Sequence, residues 1–320
     1  MGEFDLIKRF FERERSTQVG VALGIGDDCA VLQPAAGQQW LVSTDMLVEG
    51  RHFLSTVAPE LLGHKALAVN LSDLAACGAT PRAFTLALAL PRADEAFLAG
   101  FARGLFALAD AHGIALVGGD TTAGPLNICV TVMGECPQGQ ALLRSGARPG
   151  DDIYISGCLG DARLALEQFR GTLSLPGEDF AQVRLAMERP EPRVALGQAL
   201  RGIASSAIDV SDGLAGDLGH VLVRSGVGAE LDFERLPRSR WLAAQPAAVQ
   251  QLCLLSGGDD YELVFTAPAA QREAVLAAAQ ASGTAVSRVG HISAEAGLRV
   301  LDGSGEKMAL QLQSFDHFKA

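Results

Sequence analysis

The chain is notable first for what it lacks. Its six cysteines (29, 77, 129, 136, 158 and 253) form no CxxC pair, and 320 residues need no disulfide staples, so they read as buried thiols of a reducing compartment. The longest uncharged run, 241–258, contains Pro246 and three glutamines and cannot span a bilayer. The opening stretch MGEFDLIKRFFERER carries charge throughout and has no apolar segment followed by a cleavage site. It is not read as a signal peptide, and the cytoplasm is the expected address. Basic charge is also in deficit: the formal net charge is −11, which argues against a nucleic-acid partner. The motif inventory is equally sparse. There is no GxxxxGK[ST], no HRD or DFG, no HExxH and no GxSxG, and GIGDDC lacks the third glycine of a dinucleotide fingerprint. No period of 20–50 residues appears, which excludes solenoids.

What remains is a mixed α/β chain long enough for two domains. Residues 4–15 repeat apolar positions at helical spacing, and VALGIG and WLVSTDML read as strands. Pro59 opens a long helical pattern through ELLGHKALAVNLSDLAACGA, suited to a first helical turn because its missing N–H has no partner to lose there. AFTLALALP is a buried strand, 94–112 a helix, ALVGGD a strand end and LNICVTVMGEC a further strand. At RPGDDIYISG the chain restarts with a Pro-Gly turn and a strand, then the helix DARLALEQF. The expected domains are therefore 1–148 and 149–320. The second is helix-rich to about 204, then SAIDVSDGL as strand, loop and helix, with YELVFTA, SRVGHI and LRVLD as short strands.

One device recurs at five places: an aspartate beside Gly, Ser or Thr at the end of an apolar segment. IGDDCA carries Asp27 and Asp28, STDMLVEGRHF carries Ser43, Thr44 and Asp45, and NLSDLAACGA carries Asp73. VGGDTTAG carries Asp120, and IDVSDGL carries Asp209 and Asp212 around Ser211. Taken singly, each reads as a helix cap or a turn. Together they read differently, because caps need no paired aspartates, and Asp73 between Leu71 and Leu74 is costly to bury without a counter-charge. Converging carboxylates repel unless cations neutralise them. Hard oxygen donors without a His or Cys cluster point to Mg²⁺, which is common where phosphates are handled. Gly118-Gly119 and Gly257-Gly258 allow backbone N–H groups close to an anion, and DVSDGL at a helix start adds the helix dipole. Arg144 in LLRSGARPG is either a fork for phosphate oxygens or a solvated surface arginine.

Eight segments in order, GIGDDCA, STDMLVEGRHF, KALAVNLSDLAACGA, GGDTT, RSGARPGD, IDVSDGL, SGGDDYEL and SFDHF, resemble the thiamine-monophosphate kinases of the aminoimidazole-ribonucleotide-synthetase-like superfamily. The resemblance implies a two-domain α/β (α+β) fold whose N-terminal sheet pairs with that of a second subunit to close a barrel. The N-terminal domain would bind ATP and Mg²⁺ and dimerise, and the C-terminal α/β layer would complete the substrate site. It implies a homodimer that transfers the γ-phosphoryl group of ATP directly to thiamine phosphate, using several Mg²⁺ ions and no phosphoenzyme. Carried over by position, Asp28, Ser43, Thr44, Asp45, Asp73, Asp120, Asp209 and Asp212 are metal ligands. Asp28, Asp45, Asp73, Asp120 and Asp209 also carry catalysis. Gly119, Asp120, Arg144 and Ser211 contact nucleotide, and His52, Asp259 and Phe315 contact thiamine phosphate. Asp27 supports Asp28. One departure stands: the family reads Gly-Gly-Glu-Asp-Tyr-Glu-Leu where this chain has Asp259, one methylene shorter. The rival readings are a purine-pathway or selenophosphate synthetase, a non-catalytic sensor of thiamine phosphates and Mg²⁺, and a metal-dependent phosphatase. No cysteine precedes Cys29 to serve as the reactive residue of a selenophosphate synthetase.

Overall fold

A computed structural model describes residues 3–13, 19–25 and 29–309. The chain divides into two compact units, one of Met1–Leu74 with Ala79–Gly139, the other of Ala75–Gly78 with Gln140–Ala320. The division falls after Gly139, ahead of the Pro-Gly turn at 149–150, because residues 140–147 already belong to the second unit. Leu142 N–H donates to Cys77, Leu143 accepts from Ala207 N–H, and Ala147 lies in the second unit's core.

The first unit begins with helix α1 (Glu3–Phe10) and a small ribbon, β1 (Val21–Leu23) with β2 (Val31–Leu32). Strand β3 (Gln38–Val48), helix α2 (Pro59–Ala76), strand β4 (Thr80–Leu90), helix α3 (Glu95–His112) and strands β5 (Ala115–Ala123) and β6 (Asn127–Pro137) follow. The four long strands form one sheet in the order β3-β6-β4-β5. β4 and β5 run parallel, joined by α3 as a crossover; the other pairings are antiparallel. α3 is closed at both ends by local chemistry. Asp94 accepts from the N–H groups of Ala96 and Phe97, and Gly113 turns left-handed to cap the far end. α2 is unlike an amphipathic surface helix: from Leu62 to Ala76 every residue except Asp73 is buried. It crosses α3 at backbone distance, since a Cβ on Gly104 would lie 1.8 Å from the Glu60 carbonyl oxygen.

The second unit contains strand β7 (Asp151–Ser156), helices α4 (Asp161–Phe169), α5 (Gly177–Glu188) and α6 (Val194–Ala199), and strand β8 (Ser206–Asp209). Helix α7 (Leu214–Ser225), strand β9 (Gly228–Asp232), helices α8 (Arg240–Ala243) and α9 (Ala247–Ser256), and strand β10 (Leu263–Pro268) come next. Helix α10 (Arg272–Ser282) and strands β11 (Val286–Ser293) and β12 (Gly297–Leu301) complete it. Its six strands lie in the order β12-β9-β11-β7-β10-β8, all antiparallel except β12 with β9. β7 is buried at every residue, and its Ile153 and Ile155 join Leu164, Leu218, Leu254 and Val264 in one core. Two details differ from the pattern reading. The strand expected from Tyr261 begins at Leu263, because Tyr261 has a left-handed backbone (φ 52°) that no strand accommodates. Helices α9 and α10 also lie where the pattern reading assigned none; α9 follows Pro246, α10 follows a 3₁₀ turn that Pro268 opens, and α10 ends at left-handed Gly283.

Candidate active site

In the first unit, strand alternation sorts the expected ligands onto two faces. Ser43 and Asp45 are half-buried on the face of β3 that also carries buried Leu47, whereas Thr44 is exposed on the other face. There Thr44 Oγ1 lies 2.9 Å from Thr131 Oγ1 on β6. On the inner face, Ser43 Oγ donates to Asp73 Oδ2, and Asp45 N–H donates to Asn70 Oδ1 at 3.0 Å. Asn70 and Asp73 are three residues apart on α2 and so share a helix face; Ser43 and Asp45 are two apart on β3 and share a strand face. The two pairs therefore meet edge to edge, and Asp73 is half-buried at this contact. Asn70, almost fully buried, also donates from Nδ2 to Ala66 O at 3.0 Å, so its amide orientation is set. Pattern reading missed Asn70. Its signal was a polar amide inside KALAVNLSD, three residues before an aspartate.

Asp120 lies on β5, the opposite edge of the sheet from β3, in register with Ala87 and exposed. Two strands separate it from Asp45, a distance of three strand spacings or about 14 Å. Beside it, Gly119 is required by packing: a Cβ there would sit 1.9 Å from Leu86 O, whereas one on Gly118 would find its nearest neighbour at 3.9 Å. His52 follows β3 and accepts the Val48 N–H at Nδ1, at 2.9 Å. The neutral ring thus carries its proton on Nε2. Asp27 and Asp28 lie outside the described residues, as does Phe315.

In the second unit, two motifs far apart in sequence fold into one strapped loop pair. β8 ends at buried Asp209, and residues 210–213 lead into α7. The N–H groups of Ser211, Asp212 and Gly213 all donate to one oxygen, Oδ2 of Asp217, at 3.1, 3.0 and 3.1 Å. From the other side, Asp259 N–H donates to Ser211 O at 2.8 Å and Tyr261 N–H to Val210 O at 2.9 Å. Gly258 makes this approach possible, since a Cβ there would lie 2.3 Å from Ser211 O. Asp259 pays for the strap with a left-handed backbone, φ 73°. This corrects one expectation. The N–H groups at the start of α7, expected to favour phosphate, are already engaged by Asp217.

Carboxylates crowd this end of the second unit. Burial pushes the Asp217 carboxyl up to about 7, opposed by its backbone donors and reinforced by the charge of Asp212. Asp260, which accepts the Gly160 N–H at 2.9 Å on both oxygens, is raised well above the carboxylate range by burial first, then by Asp161, Glu262 and Asp259. Asp161 is raised by burial although Ser239 donates to it. Glu262, by contrast, is fully paired by Ser156 and a bidentate Arg193. Arg144 is exposed on the loop leading into β7; Ser225 of α7 holds that loop by accepting the Gly146 and Ala147 N–H groups and donating to Arg144 O.

Among the described residues no three His, Cys, Asp or Glu side chains converge to hold a metal ion. The donors nonetheless fit Mg²⁺ in kind: hydroxyl and carboxylate oxygens without imidazole or thiolate.

Two layered α/β units with aspartates at strand ends define a class that comparison identifies. The family model described as AIR synthase related protein, N-terminal domain, matches residues 26–136, and the corresponding C-terminal domain model matches 148–303. Thiamine-monophosphate kinase of Salmonella typhimurium is 46% identical over 320 residues, spanning 99% of this chain and 98% of that protein. The crystal structure of thiamine-monophosphate kinase from Stenotrophomonas maltophilia K279a is 46% identical with a TM-score of 0.84, covering 95% and 96% of the two chains. A structure of AaThiL complexed with AMPPCP and TMP is 28% identical with a TM-score of 0.77, covering 98% and 96%. The chain belongs to the AIR-synthase-related family, among its thiamine-monophosphate kinases.

Proposed function

We propose that this chain is an ATP-dependent kinase that phosphorylates thiamine phosphate to thiamine diphosphate. The observation that carries this reading is the end-to-end match to thiamine-monophosphate kinases at 46% identity. The chemistry agrees with the residues. A phosphate monoester loses its second proton near pH 6, so the attacking oxygen is already anionic at neutral pH and no general base is needed. The obstacle is repulsion between acceptor and donor phosphates, and a chain of net charge −11 has few cations to offset it. Bound Mg²⁺ would supply that charge and hold the phosphates in line.

On this proposal Ser43, Asp45 and Asp73 form a metal-holding set in the first unit together with Asp28, and Asp209 and Asp212 form the set in the second; Thr44, on the opposite face of β3, and Asp120, on the far edge strand, would serve separate ions. The pairing of Ser43 with Asp73 and of Asp45 with Asn70 supports the first set. His52, Asp259 and Phe315 would contact thiamine phosphate, and Gly119, Arg144 and Ser211 the nucleotide. The first unit is the ATP, metal and dimerisation domain, and the second completes the substrate site. The outer face of the first unit's sheet supports the homodimer: Val42 and Met46 flank Thr44 there with 63% and 54% of their surface exposed. Among the described residues no helix is long and apolar enough to cross a membrane. All six cysteines are free thiols, which supports a cytoplasmic address.

The test is an incubation with ATP, Mg²⁺ and thiamine phosphate, separated by chromatography. Thiamine diphosphate and ADP should appear in equal amounts and vanish on chelation. Inorganic phosphate released from thiamine phosphate without ATP, or ADP formed only with another acceptor, would overturn the reading.

A further inference from the structure

The start of α7 has the makings of an anion site: a helix of 12 residues, three consecutive N–H groups and a glycine before its first turn. What occupies it is a carboxylate of the same helix. Asp217 is 3% exposed, and its Oδ2 accepts from Ser211, Asp212 and Gly213 together. It sits in the first turn, where the ionised carboxylate offsets the positive end of the helix dipole. The opposite side of the loop is closed as well, since the carbonyls of Val210 and Ser211 are taken by Tyr261 and Asp259 and the Val210 N–H by Glu262 O. The backbone from 210 to 213 therefore has little left to offer a ligand. Ser211 and Asp212, both half-buried, thus have only their side chains to offer, and the Asp217 carboxyl lies against their backbone N–H groups.

We propose that Asp217 is a positioning residue that turns this helix start from an anion-binding end into a cation-binding one, fixing the loop so that Asp212 serves a divalent cation. The proposal rests on the reading of Asp209 and Asp212 as metal ligands, but it makes a claim that reading does not contain. A phosphate that sought the three N–H groups would have to displace a buried carboxylate, so these N–H groups do not take an anion. Asp217 acts through Asp212 and touches neither substrate.

The first test needs no variant. In the ligand-free protein, the backbone amide resonances of Ser211, Asp212 and Gly213 are followed during separate titrations with Mg²⁺ and with inorganic phosphate. They should move with Mg²⁺ and stay in place with phosphate; movement with phosphate and none with Mg²⁺ would overturn the proposal. The second test is calorimetric Mn²⁺ binding at pH 8 to the parent, Asp217→Asn and Asp217→Glu. Loss of the charge in Asp217→Asn should weaken binding by about tenfold or more, in line with outer groups that orient metal ligands, whereas Asp217→Glu should stay within about threefold. An Asp217→Asn protein with unchanged Mn²⁺ affinity, or an Asp217→Glu protein as weak as Asp217→Asn, would refute it. Neither readout requires turnover. A parent that binds Mg²⁺ through this loop yet forms no thiamine diphosphate would sink the kinase reading and leave this one standing.

Discussion

Asp73 is the sharpest single residue of the candidate site. It is the one half-buried position in a helix otherwise buried from Leu62 to Ala76, and its hydroxyl partner comes from a different element. Asp73→Asn keeps the shape and an acceptor for Ser43 but removes the charge. It should lower kcat by about 100-fold or more while near-ultraviolet dichroism stays that of the parent. Near-normal turnover in the purified variant would remove Asp73 from the metal set. Asp259 poses a different question, because its backbone is left-handed. Aspartate tolerates that region better than glutamate, through local hydrogen bonding of its short side chain. The family's glutamate at this position thus gains reach at a conformational cost. Asp259→Glu should leave the KM for thiamine phosphate unchanged or lower it, and should cost roughly 0.5 kcal/mol in urea denaturation. A large rise in KM would contradict the view that the longer glutamate serves this position at least as well as Asp259 does.

At the scale of elements, the contact of β4 with β5 explains a glycine that motif reading assigned to anion binding. Gly119→Ala drives a methyl group to within 1.9 Å of Leu86 O and should cost about 3 kcal/mol, while Gly118→Ala, with open space beside it, should cost less than about 1 kcal/mol. Equal urea midpoints for the two variants would show that the backbone moves aside without penalty. In the second unit, Asp152 of β7 is tied to Arg272 of α10 and Arg288 of β11. The hydrogen bond from Arg272, aided by Arg288, holds the Asp152 carboxyl below the usual carboxylate range against the opposing effect of burial. A depressed carboxylate contributes stability above its unfolded pKa and loses it as pH falls through the folded value. The melting temperature of Asp152→Asn should therefore lie below the parent above about pH 4, and the gap should close in more acid solution. A gap that persists unchanged at pH 2 would show that the ion pairs are not its source.

For the whole molecule, the exposed face of the first unit's sheet is the feature that a lone chain leaves unexplained. Met46→Glu puts a charge on the β3 edge of that face without touching Ser43 or Asp45, which lie on the other face of the strand. If the sheet pairs across a homodimer, the variant should sediment as a monomer at concentrations where the parent is a dimer. Parent and variant of equal mass would mean that the face is covered by something else, or by nothing.

Much of the architecture was legible because its signals are local. Pro59 and the apolar run after it marked α2, Asp94 and Gly113 bound α3, and the alternation around Asp45 described β3 as one face in and one face out. The recurring aspartates were legible too, since a carboxylate beside Gly or Ser at a strand end is a statement about chemistry that needs no neighbours. The residues that orient them were not. Asn70 and Asp217 act through space on backbone N–H groups, and nothing in NLSD or GLAGDLG says which loop each will reach. The strap between 210–211 and 259–261 joins segments nearly fifty residues apart, and its left-handed aspartate exists only because Gly258 lets the two chains close up. Sequence by itself determined the elements, the donor chemistry and the family, since each is written in neighbouring residues. Only tertiary structure decided that Ser43 and Asp73 meet while Thr44 faces away, and that the helix start at 213 is filled by its own carboxylate. Those outcomes depend on register and on long-range packing, which no local pattern encodes.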